Sequence, residues 1–85
     1  MEEFLRKFVQ LNGAEVKVVL EHYLFDNQRF YCRQLKTIDD ERVGVIIKDR
    51  EIFMDKSDVK VAEIQDNKYI ISDGRLKIEI IVNKL

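Results

Sequence analysis

The chain has 85 residues, 46% apolar and 36% charged, with 15 Lys and Arg against 16 Asp and Glu and a formal net charge of −1. This is the size and composition of one globular domain with a modest core, too apolar to stay disordered. The near-zero balance excludes a strongly basic, phosphate-neutralising domain and leaves a local basic patch as the only electrostatic route to nucleic acid.

Residues Glu2 to about Leu11 carry Phe4, Leu5, Phe8 and Leu11 at helical spacing. That periodicity predicts a short amphipathic helix with Glu2 and Glu3 at its positive end and Asn12-Gly13 as its stop. A second reading pairs a strand over 8–11 with the next strand through an Asn12-Gly13 hairpin turn. The opening MEEFLRKF is acidic first and lacks a long apolar core, so it does not read as a signal peptide. No apolar run approaches the length that spans a membrane.

Val16, Val18 and Leu20 alternate as a half-buried strand does, and residues 22–25 extend it. Asp26-Asn27-Gln28 reads as the turn that follows. A second strand is expected over Arg29–Lys36. Its faces are not cleanly segregated, since Phe30, Cys32 and Gln34 share one side and Tyr31, Arg33 and Leu35 the other, as in a strand that bends across a small barrel. Asp39-Asp40-Glu41-Arg42 is a charged loop. Val43, Val45 and Ile47 alternate in a third strand, Lys48-Asp49-Arg50 is a polar turn, and Ile52-Phe53-Met54 is a fourth strand. Asp55-Lys56-Ser57-Asp58 leaves room for one tight helical turn before a fifth strand with Val59, Val61 and Ile64. Residues 68–72 and 76–82 form a last hairpin around Asp73-Gly74. So many short antiparallel strands in so short a chain imply a small barrel or sandwich, because closure hides strand edges.

This order resembles the Sm/Lsm family, including its bacterial relative Hfq. The likeness rests on Leu11, Gly13, Val16, Val18 and Leu20, then Phe30, Cys32 and Leu35, the Asp39 that opens a loop, and Phe53-Met54 before the four-residue turn and Val59. It covers about residues 5–64, and other SH3-like barrels share a similar order. The resemblance implies a mainly β, SH3-like or Sm-like antiparallel barrel with a short N-terminal helix (1–12), five barrel strands (13–64) and an extra C-terminal β-hairpin (65–85). It also implies a homo-oligomer joined through strand edges, with RNA or a nucleotide as ligand. The family's uridine-reading positions differ here. Glu41 and Val43 stand where a stacking side chain and an Asn are usual, and Asp55-Lys56 replaces an Arg-Gly pair. A carboxylate at Glu41 or Asp55 repels phosphate and does not stack on a base, so any such ligand is expected at a non-standard site.

The remaining chemistry is sparse. Cys32 is the only cysteine and His22 the only histidine, which leaves no internal disulfide, no zinc cluster and no nucleophile–base pair visible in the sequence. A reducing cytoplasm suits the lone thiol. The acidic run Asp39-Asp40-Glu41 reads as a solvated loop, since neighbouring carboxylates rarely converge on one ion. No enzyme activity, metal or cofactor is expected. The candidate nucleic-acid contacts are Phe30, Arg33, Arg42, Lys48, Arg50 and Lys56, in which interleaved aromatic and cationic groups suit base stacking and phosphate contact. The competing expectation is a protein-interaction or structural module that keeps the barrel and has lost base recognition.

Overall fold

The structure is a computed structural model that describes residues 1–83. It is mainly β with one short N-terminal helix, and all strand pairs are antiparallel. Helix α1 spans Glu2–Val9, and a turn carries the chain on to Gly13, with Leu11 N–H donating to the Phe8 carbonyl at 3.0 Å. Phe4, Phe8 and Leu11 are buried, as their spacing predicts, and the rival hairpin over these residues does not form. The Phe4 and Phe8 rings stack at 5.6 Å, and Phe4 meets Tyr69 edge-on at 6.1 Å.

The strands are β1 (Val16–His22), β2 (Phe25–Cys32), β3 (Lys36–Asp39), β4 (Arg42–Ile47), β5 (Arg50–Asp55), β6 (Val61–Gln65), β7 (Lys68–Ser72) and β8 (Leu76–Val82). They form a five-stranded sheet in the order β2-β1-β8-β7-β6 and a three-stranded sheet β3-β4-β5. The chain passes between the two sheets over 33–35, through the bend that the mixed faces of residues 29–36 predict. Leu35 is thereby buried along with the inward face of β1, although its parity opposes that of Phe30 and Cys32. The same bend adds a strand: β3 pairs Lys36–Asp39 with β4, so Asp39 belongs to a ladder and the loop shrinks to Asp40-Glu41. Six strands therefore occupy 16–65, where five were expected.

One expected turn is misplaced. Asp26-Asn27-Gln28 lies inside β2, and the chain reverses at Tyr23-Leu24 instead. The ladder explains the choice. Val16, Val18 and Leu20 sit opposite Cys32, Phe30 and Gln28, which fixes the hairpin by its core residues, and a bulge between Leu20 and His22 absorbs the extra residue of β2. The tight helical turn is found at Lys56–Asp58.

The C-terminal hairpin is built into the sheet. β8 lies between β1 and β7, with Ile78 and Ile80 opposite Leu20 and Val18. It covers one edge of β1, and the outer strands of that sheet are β2 and β6. The last two positions of the expected 65–85 hairpin lie outside the described residues. The core combines Val16, Val18, Leu20, Ile71, Ile78 and Ile80 of the larger sheet with Val43, Val45, Ile47 and Met54 of the smaller, and Phe8 of α1 joins it. Strands β4 and β5 approach closely at Gly44, where a Cβ would collide with the Ile52 carbonyl oxygen. No helix among the described residues is long and apolar enough to cross a membrane.

Candidate functional site

A cleft of about 830 Å³ lies between β2 and the β4–β5 hairpin. Leu20 and Ile47, both buried, and Phe30 and Ile52, both half-buried, give it apolar walls; Arg29, Lys48 and Arg50 are exposed around it. The local sequence explains each placement. Phe30 faces inward because it stands opposite Val18 in the β1–β2 ladder. Lys48 and Asp49 form the two-residue β4–β5 turn with φ of 51° and 66°, the left-handed geometry that matches hairpin twist. This turn carries the Lys48 ammonium over the Phe30 ring, 5.7 Å from its centroid. Arg50 opens β5 on the core-facing side, opposite Ile47, at the end of the ladder where the core gives way to solvent.

A smaller hollow of about 260 Å³ shares Phe30, Ile47 and Lys48 with the cleft and adds Tyr31, Arg33 and Lys36. Four of the six residues expected at the site, Phe30, Arg33, Lys48 and Arg50, thus border two adjoining depressions. None of Arg29, Arg33, Lys48 and Arg50 pairs with a carboxylate among the described residues.

The other two expected residues serve a different purpose. Arg42 lies along the outer face of β4–β5, 4.6 Å from the Phe53 ring centroid, and bridges Asp40 and Glu51 at 3.1 Å each. Its hydrogen bonds to Asp40 hold that carboxyl below its ordinary range, and Asp40 and Glu51 together push the guanidinium up. Lys56 pairs with Asp39 at 2.5 Å, and its backbone N–H donates to the Glu41 carbonyl. Both cations are locally neutralised, fastening the β3–β4 turn to β5 and to the helical turn after it. Of the two loop positions where the resemblance would put a base reader, Val43 is fully buried and out of a ligand's reach and Glu41 is exposed, while Asp39 and Asp40 beside them are engaged in these ion pairs.

Burial pushes the Cys32 thiol up, Lys48 pulling the other way, so the thiol keeps its proton at neutral pH and is a poor nucleophile. The Tyr31 hydroxyl donates to the Glu15 carboxylate, which together with partial desolvation raises the tyrosine's pKa. His22 accepts the Leu24 N–H at Nδ1, 3.1 Å away, and its ring lies 4.8 Å from Tyr23 and 5.0 Å from Phe25. No group of three His, Cys, Asp or Glu among the described residues converges as a metal site would.

The feature that sequence reasoning missed is the tip of the β1–β2 hairpin. Tyr23, Leu24 and Phe25 are 66%, 65% and 69% exposed. Three large apolar residues in succession after the alternating strand are the available signal. On sequence alone they continue that strand, because the polar run behind them has better turn chemistry. Compared with family models, with curated proteins and with solved structures, the chain matches none.

Proposed function

We propose that this chain is a non-enzymatic binding module of Sm-like type that takes single-stranded RNA or a nucleotide in the cleft beside Phe30. The observation that carries the reading is the convergence of Arg29, Arg33, Lys48 and Arg50, all free of carboxylate partners among the described residues, around a half-buried aromatic ring. A base enters between Phe30 and the apolar walls, and the exposed cations meet the phosphates on either side. The order of elements up to the Lys56–Asp58 turn supports the Sm-like reading. Assembly through strand edges belongs to the same proposal, with β5 and β6 supplying edges that lack a partner strand among the described residues. The cytoplasm is the proposed compartment.

The test is a titration of labelled single-stranded RNA at two salt concentrations. Binding should weaken as salt rises, and Lys48→Gln with Arg50→Gln should reduce the salt slope by about one for each phosphate that is no longer neutralised. Phe30→Leu keeps apolar volume in the core and removes the stacking face, so it should cost about 1–3 kcal/mol of affinity per stacked base. Arg42→Gln and Lys56→Gln should change affinity far less, since those charges are already neutralised. Binding that is absent at low salt, or indifferent to salt, rejects the nucleic-acid reading.

A second reading, a protein-interaction module, is favoured by the exposed Tyr23-Leu24-Phe25 tip. It predicts a protein partner that survives nuclease treatment, and loss of every partner on nuclease treatment counts against it.

A further inference from the structure

The hairpin tip and the cleft are neighbours on one surface, and Phe25 belongs to both. One is an apolar projection and the other a depression with apolar walls. Their charges are opposite. Asp26 flanks the tip, with Glu21 behind it paired to Lys77 at 3.8 Å, whereas Arg29, Lys48 and Arg50 stand at the cleft without a carboxylate partner among the described residues. A surface that carries a projection beside a matching depression, with opposite charge on each, is complementary to a second copy of itself, which is the requirement for a two-fold interface.

We propose that two copies of this chain associate through a two-fold contact in which the Tyr23-Leu24 tip of each enters the cleft of the other. The contact forms through side chains and not by strand addition. Among the described residues the β2 strand has no partner on its far side, but the bulge within Phe25–Gln28 distorts it there, and the Asp26–Arg29 stretch is polar. Those are the devices that blunt a strand edge against pairing. The same hairpin nonetheless leaves its three apolar tip residues open to water, an arrangement that isolated chains avoid.

The association covers the cleft that the RNA reading uses, so the two predict competition: ligand dissociates the pair, and the pair excludes ligand. The self-association itself does not depend on the nature of that ligand. A two-fold contact doubles whatever unit it joins, a single chain or an edge-paired assembly.

The test is the molar mass of the full chain by light scattering and sedimentation equilibrium over a wide concentration range. The wild type should show a concentration-dependent doubling, and Leu24→Asp should halve its mass at high concentration while the circular dichroism stays unchanged. Charge reversal adds a test of register. A chain with Asp26→Lys, and another with Lys48→Glu and Arg50→Glu, should each associate poorly alone. Mixed in equal amounts they should associate about as well as the wild type, because each tip then meets a cleft of opposite charge. A wild type that shows no doubling at any concentration overturns the proposal. So does a mass unchanged by Leu24→Asp, which places assembly at strand edges, and so does a mixture that fails to associate. Capture of the wild type by phosphatidylcholine vesicles without self-association also overturns it, in favour of a lipid surface at the tip. RNA affinity measured on Leu24→Asp separates the two readings: retained binding with no wild-type doubling rejects the pair alone, and doubling with no binding rejects the RNA reading alone.

Discussion

The β1–β2 and β7–β8 turns lie side by side, the Tyr23 N–H donating to the Arg75 carbonyl at 3.3 Å, yet their chemistry is opposite. The β7–β8 turn satisfies itself. Asp73 Oδ1 accepts the N–H groups of both Arg75 and Leu76 at 2.8 Å, Ser72 Oγ accepts the Gly74 N–H at 3.0 Å, and Gly74 takes φ +92°. The β1–β2 turn has one side-chain hydrogen bond to its backbone, from Leu24 N–H to His22, and it projects apolar side chains into water. The β7–β8 turn holds its hairpin by local chemistry. The β1–β2 turn is held in place by the ladders of β1 with β2 and β8, which frees its residues for contact with something else. Neighbouring turns on one sheet can thus divide the work, one specifying the fold and the other offering a surface.

If this contrast is right, stability should respond at one turn and not at the other. The largest effect is expected for Asp73→Ala, which leaves the Arg75 and Leu76 N–H groups without their acceptor. The loss should be about 1–2 kcal/mol, comparable with removing a helix cap. For a domain of this size that lowers Tm by roughly 4–8 °C per kcal/mol, readable by calorimetry. Gly74→Ala comes next. The nearest atoms to its added Cβ belong to the flexible Lys60 side chain, so space is not the obstacle. The positive φ is, and the expected cost is about 1 kcal/mol in urea unfolding with an unchanged slope.

Acid should reveal a smaller part of the same turn. Partial burial works against ionisation of Asp73, but the backbone N–H groups of Leu76, Arg75 and Asp73 itself outweigh it and hold the carboxyl below its ordinary value. A carboxyl depressed by folding contributes stability that is fully present above its unfolded pKa, about 3.9, and is lost as pH falls through the folded value. Asp73→Asn keeps an oxygen acceptor and removes the titration. Its Tm should therefore fall short of the wild type at neutral pH by less than that of Asp73→Ala, and the gap should narrow below about pH 3.9 and close as pH falls through the folded value. A gap independent of pH would assign the turn's stability to hydrogen-bond geometry alone.

The same contrast marks what the sequence could reveal. The Asp73-Gly74 turn, the Lys56–Asp58 helical turn and the Phe4/Phe8/Leu11 face were legible because each is fixed by local residue chemistry or periodicity. The bend after Cys32 was legible only as a defect in alternation, and the extra strand β3 it creates was not, since pairing with β4 depends on where the bend delivers the chain. The Tyr23-Leu24 turn escapes sequence reading for a related reason. Local propensity favours Asp26-Asn27-Gln28, and the register that overrides it is set across the hairpin, by Phe30 and Cys32 against Val18 and Val16. At the site, residue type singled out Phe30, Arg33, Lys48 and Arg50, which the structure places around two adjoining depressions. It gave no warning that Arg42 and Lys56 are paired, because the Asp40–Arg42–Glu51 bridge crosses from one strand to the next.

The smallest effect on stability should come from the tip. Replacing Tyr23 with Ser or Leu24 with Asp removes side chains that are about two-thirds exposed and touch little of the core. The expected change is within about 0.5 kcal/mol at concentrations where the chain is unassociated. At high concentration the wild type should gain stability over the variants, since any species that binds only the folded state raises its melting temperature by mass action. The informative measurement is therefore Tm against protein concentration for wild type and Leu24→Asp together. Curves that coincide when dilute and separate when concentrated locate the tip's role in association. A large loss at every concentration would instead show that these exposed residues support the hairpin itself, and the division of labour between the two turns would fail.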